Sequence, residues 1–148
     1  MKLSVAGDHA GYALKKILAE QLRSEGHEVL DLGAFDETRS DYPDWAKALG
    51  LAIRAGKSER GILLCGSGAG ASIAANKMRG IRASVCHDHY SAHQAVEHDD
   101  MNVLVLGARV IGQTTALDCA HAFIGATYLG TQPYAERLDK VRQMEDEM

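Results

Sequence analysis

Gly61-Ile62-Leu63-Leu64-Cys65-Gly66-Ser67-Gly68-Ala69-Gly70-Ala71-Ser72 is the stretch on which the fold turns. An apolar run of strand length ends on a cysteine, glycines recur at every second position, and Ser72-Ile73-Ala74-Ala75-Asn76-Lys77 continues as a helix. The pattern is strand, glycine turn and helix N-terminus, with a thiol at the join. Backbone N–H groups of such a turn, together with those of the first helical turn, form a concavity that favours anionic oxygens. The same field favours thiolate over thiol. One short segment thus supplies a base or nucleophile and a stabiliser of negative charge.

Elements of similar length lie on either side. Lys2–Ala6 is an apolar strand, and Gly7-Asp8-His9-Ala10-Gly11 opens a helix over Tyr12–Ser24, where Leu14, Ile17, Leu18 and Leu22 share one face. Gly26 stops that helix, His27–Asp31 is the second strand, and Gly33–Ser40 is a polar loop. A helix begins at Asp41-Tyr42-Pro43-Asp44 and runs to about Ala55, with Pro43 in its first turn, where a missing N–H is harmless. After the central strand and a helix to about Met78 come a strand over Ile81–Cys86, a helix over Tyr90–Glu97 and a strand over Asn102–Leu106. Helices over Gln113–Gly125 and Pro133–Glu147 complete the chain.

Strands alternating with helices imply right-handed crossovers and a parallel sheet covered on both faces. The expected fold is α/β, a three-layer Rossmann-like, flavodoxin-like sheet of five strands in the order 2-1-3-4-5, with residues 1–148 forming one domain. Ligands of such sheets bind beyond the strand C-termini where the order reverses, here between strands 1 and 3. Those strands end in Asp8-His9 and in Cys65-Gly66-Ser67. Topology therefore gathers a carboxylate, an imidazole, a thiol and a glycine turn in one crevice.

Composition narrows the classes of function. With 46% hydrophobic and 24% charged residues, 148 residues suffice for a core without disulfides or metal. The three cysteines, Cys65, Cys86 and Cys119, are widely spaced and contain no Cys-x-x-Cys pair, which argues against a disulfide framework or cysteine zinc site. A formal charge of −4 argues against nucleic acid as partner, although local arginines and histidines still suit an anionic small molecule. No apolar run approaches the roughly 20 residues of a membrane span, and the N-terminus lacks a signal peptide's apolar segment. A cytoplasmic protein is the expectation.

Several other motif readings compete with the glycine turn. A dinucleotide fingerprint needs G-x-G-x-x-G after the first strand, whereas here Gly66, Gly68 and Gly70 follow the third. A P-loop needs a lysine before its Ser/Thr, and Gly70-Ala71-Ser72 has none. A phosphatase loop needs an arginine after the turn, which Ala71-Ser72 does not provide. His87, Asp88, His89 and His93 have a spacing compatible with zinc, but no H-E-x-x-H motif accompanies them, and histidines beside acids are common on solvated helices. No metal or cofactor is expected.

Gly7-Asp8-His9-Ala10-Gly11, Asp41-Tyr42-Pro43, Gly61–Gly68, Ile73-Ala74-Ala75-Asn76-Lys77, Gly80-Ile81-Arg82-Ala83, Asn102-Val103-Leu104 and Gly107-Ala108-Arg109 together make the chain resemble, over nearly its whole length, the type B ribose-5-phosphate isomerases. That group also includes galactose-6-phosphate isomerase subunits. The resemblance implies metal-free, cofactor-free aldose–ketose isomerisation of a sugar phosphate, most simply D-ribose 5-phosphate to D-ribulose 5-phosphate, through a cis-enediolate. Family members carry the base on a cysteine just before the glycine loop or on a glutamate just after it. Cys65 fills the first position and Ala71 the second.

By similarity, Cys65 moves the carbon-bound proton, Ser67 moves the hydroxyl proton, and His98 opens the sugar ring. The same comparison gives Asp8 the substrate hydroxyls, His9, Arg109 and Arg137 the phosphate, Tyr42 and Asn76 the walls of the pocket, and Gly66, Gly68 and Gly70 the enediolate oxygen. It also implies a homodimer with shared active sites, or a dimer of dimers built from it, with the C-terminal helix reaching toward the partner. Two departures from the family pattern bear on the substrate. His98-Asp99-Asp100 stands where many members have His-Asn-Asp, which puts Asp99 near the ligand, and Thr131-Gln132-Pro133-Tyr134 replaces Gly-Gly-Arg-His. The alternatives are a six-carbon substrate of the allose or galactose 6-phosphate type, or a non-catalytic sugar-phosphate-binding protein.

Overall fold

A computed structural model describes residues 1–148. Its elements are β1 (Lys2–Gly7), α1 (Tyr12–Ser24), β2 (Glu28–Asp31), α2 (Tyr42–Arg54), β3 (Arg60–Cys65), α3 (Ala69–Ala75), β4 (Ala83–Val85), α4 (His89–Asp99), β5 (Val103–Gly107), α5 (Gln113–Gly125) and α6 (Tyr134–Glu147). All strands pair in parallel, in the order β2-β1-β3-β5-β4. The α/β architecture is as expected, with the last two strands exchanged relative to the order 2-1-3-4-5. The reason is burial. Every residue of Val103-Leu104-Val105-Leu106-Gly107 is buried, and a strand covered on both faces belongs inside a parallel sheet. β4 is only Ala83-Ser84-Val85, half-buried throughout, and a short strand suits the edge.

Alternation along β3 sorts the core into two layers. Ile62 and Leu64 pack with Leu3, Val5, Leu104 and Leu106 against α1, α4 and α5, through Leu14, Leu18, Leu22, Val96, Ala120 and Phe123. Leu63 and Cys65 face the other way, with Val103 and Val105, against Leu49 of α2 and Ala71 and Ala75 of α3. The Cys65 side chain thus emerges on the α2–α3 side at the end of the strand.

The apolar stripe of α1 is buried at Leu14, Leu18 and Leu22, and so is Lys15. Its ammonium donates to Asp31 Oδ1 at 2.5 Å and to the Ala34 carbonyl at 2.6 Å, the pairing that a buried charge requires. α3 stops short of the expected Met78 because the Asn76 amide takes over the chain: Nδ2 donates to Ser72 O at 3.0 Å and Ala83 O at 2.8 Å, and Oδ1 accepts from Ala83 N–H at 2.8 Å.

α6 packs on α4 and buries Leu138. Its far end is latched by the Gly80 N–H, which donates to both Glu145 carboxylate oxygens at 3.1 and 3.2 Å. Arg79 adds a bond to the Glu145 carbonyl at 2.7 Å. A groove of about 1000 Å³ runs beneath the helix, walled by Met78, Ile81, Val85, Val141 and Met144. No helix is long and apolar enough to cross a membrane.

Candidate active site

The loops that follow β1, β3 and β5 meet where the strand order reverses. They enclose a cleft of about 350 Å³ lined by Asp8, Tyr42, Cys65, Gly66, Ser67, Gly70 and Arg109, all singled out from the sequence, and by Val110, which carries no chemical signal. Backbone bonds hold the loops together. Asp8 N–H donates to Leu64 O at 3.2 Å, Ala108 N–H to Cys65 O at 2.9 Å, and Arg109 N–H to Gly66 O at 2.9 Å. Arg109 therefore starts from a fixed point beside the glycine turn. The turn itself needs glycine at two places: Gly68 has φ +85°, and a Cβ on Gly70 would lie 2.6 Å from the Tyr42 ring.

Each reactive group has a defined neighbour. Cys65 Sγ accepts the Gly68 N–H at 3.1 Å. Ser67 Oγ accepts the Ala69 N–H at 3.2 Å, which leaves the hydroxyl proton free to be given away. The Ser67 and Gly70 N–H groups donate to no protein acceptor and border the cleft. Asp8 is buried, and its Oδ1 accepts from Ala10 N–H at 3.0 Å and Gly11 N–H at 3.1 Å, so Oδ2 is the oxygen left for a ligand. His9, next in the chain, sets Nδ1 against the Ser40 peptide, 3.2 Å from both its carbonyl oxygen and its nitrogen. The Ser40 carbonyl accepts from a protonated Nδ1 and the Ser40 N–H donates to a bare one, so this backbone serves either form of the ring. Ser40 had no signal in the sequence, since its contribution is main-chain.

The remaining expected residues lie elsewhere in the subunit. His98 and Asp99 end α4, and Arg137 lies on α6; Asp99 and Arg137 border the large groove, not the Cys65 cleft. His98 bonds Gln94 and stacks on Tyr134. Asn76 also borders the groove, with its amide committed to the α3–β4 connection.

The histidines of the β4–α4 region disperse. His87 Nε2 accepts the Gly107 N–H at 2.9 Å, His89 pairs with Asp118 at 3.1 Å, and His93 pairs with Glu97 at 3.0 Å. No three His, Cys, Asp or Glu side chains converge as a metal would need. All three cysteines are free. Burial pushes the Cys86 thiol up, and burial with the Asp118 charge pushes Cys119 up to about 11.

The family model described as Ribose/Galactose Isomerase matches residues 3–141. Ribose-5-phosphate isomerase B of Escherichia coli is 41% identical over 97% of this chain and 96% of its own. D-erythrulose-4-phosphate isomerase of Pectobacterium atrosepticum is 40% identical over 93% of each chain. The solved structure of ribose-5-phosphate isomerase B from Clostridium thermocellum superposes with a TM-score of 0.97 at 41% identity, covering 99% of both chains. With a thiol, a hydroxyl, free amides and an arginine meeting at the switch point of a sheet shared with these proteins, the chain belongs to the ribose/galactose isomerase family.

Proposed function

We propose that this protein interconverts D-ribose 5-phosphate and D-ribulose 5-phosphate, with Cys65 as the general base. The observation that carries the reading is the cleft itself, in which the Cys65 thiol, the Ser67 hydroxyl and two free N–H groups surround one small space. In the open-chain aldose the Cys65 thiolate takes the C2 proton, and negative charge moves onto O1. The Ser67 and Gly70 N–H groups stabilise that oxygen, a type of contact worth about 3–4 kcal/mol per donor. Ser67 passes the hydroxyl proton from O2 to O1, and the thiol returns its proton to C1. Asp8 holds sugar hydroxyls, Tyr42 walls the pocket, and His9 and Arg109 hold the phosphate.

His98, Asp99 and Arg137 join this machinery across a homodimer, or a dimer of dimers. The support is their separation from the Cys65 cleft within one subunit, which a second copy removes by bringing its α4–α6 cluster to the cleft. In that assembly His98 opens the sugar ring and Arg137 adds a second bidentate phosphate ligand. A cytoplasmic setting fits a phosphorylated substrate and three free thiols.

A phosphorylated sugar of another length is the second reading. It is favoured by Asp99 and by Thr131–Tyr134, where the family pattern has an amide and an arginine, and by a tetrose phosphate isomerase among the relatives. Comparing turnover of tetrose, pentose and hexose phosphates separates the two. For the base, Cys65→Ala is expected to lower kcat by about a thousandfold and to stop solvent exchange of the substrate C2 proton. Exchange continuing at the original rate would remove Cys65 from the role.

A further inference from the structure

His98 is held by two side chains that the proposed mechanism has not used. The Gln94 amide nitrogen, one helical turn earlier on α4, lies 2.7 Å from His98 Nδ1. The Tyr134 ring, at the start of α6, stacks on the imidazole at 4.2 Å between centroids and 17° between planes. When Nδ1 is bare, the Gln94 NH₂ donates to it. If Nδ1 gains a proton, the amide turns over and offers its oxygen. Gln94 therefore engages Nδ1 in either state, and Nε2, which has no protein partner, is the nitrogen left for a ligand.

We propose that Gln94 and Tyr134 are positioning residues that make Nε2 the acting nitrogen of His98 in sugar-ring opening. This rests on the reading of His98 as the ring-opening acid. In that step the imidazolium gives its Nε2 proton to the ring oxygen as the bond from that oxygen to C1 breaks. The anomeric hydroxyl releases its proton to water as the C1 aldehyde forms, and the imidazole regains a proton from water. Gln94 fixes which nitrogen acts, and Tyr134 fixes the ring plane. Tyr134 belongs to the Thr131–Tyr134 stretch that departs from the family pattern, so this departure supplies an aromatic support as well as omitting an arginine.

The test exploits a difference between the two substrates. Ribose 5-phosphate is mostly a closed furanose, whereas ribulose 5-phosphate, with its C5 oxygen phosphorylated, is open-chain and can exchange a C1 proton with solvent without any ring step. Gln94→Leu and Tyr134→Ala are expected to slow ribose 5-phosphate turnover about tenfold while leaving C1 exchange of ribulose 5-phosphate within about twofold of the parent. Tyr134→Phe, which keeps the stack, is expected to behave as the parent. Gln94→Ala removes the same bond and serves if Gln94→Leu does not fold. Equal losses in turnover and exchange, or no loss in either, would overturn the proposal. His98→Asn separates the two levels. If it slows only turnover while the Gln94 variants slow nothing, the His98 reading stands and the positioning claim fails. If His98→Asn affects both rates alike, or neither, both fail.

Discussion

The Cys65 cleft and the His98 cluster are built by different means. Around Cys65, main chain holds main chain: three loops are joined by peptide hydrogen bonds, and the thiol itself meets a backbone N–H. Around His98, side chains hold the ring, through the Gln94 amide and the Tyr134 stack, and a side-chain-to-backbone latch at Glu145 secures α6. Backbone geometry suits the half proposed to stabilise an oxyanion, because dipoles fixed by peptide bonds need no reorganisation as charge develops. Side-chain placement suits the half that recognises a particular sugar, because it changes by substitution without disturbing the sheet.

The sharpest way to break the first half is to crowd its turn. Gly70→Ala places a methyl against the Tyr42 ring and is expected to lower kcat/KM about a hundredfold with little loss of thermal stability, because misplacing groups by about 1 Å is enough. Steady-state kinetics beside a melting curve checks this, and unchanged kinetics would mean that the turn tolerates displacement. A smaller effect compares the two arginines. Arg109→Ala and Arg137→Ala are each expected to raise KM about tenfold and to change kcat less, as for loss of a charge-assisted bond to phosphate. A response at Arg109 alone would place α6 away from the phosphate.

The smallest effect separates the thiol that lines the cleft from Cys119 in the core. Cys119 ionises at about 11 when folded because burial and Asp118 oppose the thiolate, whereas an unfolded thiol ionises near 8.5. The unfolded chain therefore loses this proton first as pH rises, and stability falls between about pH 9 and 11. Urea midpoints across that range should decline less steeply for Cys119→Ala than for the parent. Iodoacetamide should modify Cys65, which lines the cleft, well before Cys119, which is fully buried in the core.

Much of this was legible because glycine and strand signals are local. α1 and α5 begin and end where periodicity places them, and Gly61–Ser72 gives the expected strand, turn and helix, with the helix starting at Ala69 rather than Ser72. Strand order is not local. The both-face burial of Val103–Leu106 was readable, but its consequence, a position inside β4, emerges only when strands compete for neighbours. Lys15 interrupts an apolar stripe and looks solvated until Asp31, sixteen residues on, comes to meet it. The site divides in the same way. Asp8, Cys65, Ser67, Gly70 and Arg109 lie at strand ends that topology brings together. Tyr134 and Ser40 meet His98 and His9 through contacts that no spacing announces, whereas Gln94 stands four residues before His98 on one helix. The histidines His87, His89 and His93, compatible with a metal by spacing, are claimed individually by the Gly107 N–H, Asp118 and Glu97.

In the proposed dimer these two halves, one from each subunit, make one active site. Co-expression of Cys65→Ala with His98→Asn tests it directly, since each homodimer lacks an essential group at both of its sites. Random pairing makes about half the dimers mixed, and each mixed dimer has one site with both groups intact. The account therefore expects about a quarter of parental turnover of ribose 5-phosphate. If the site is complete within one subunit, every subunit in the mixture carries a lesion, and activity no higher than that of either variant alone would contradict the account.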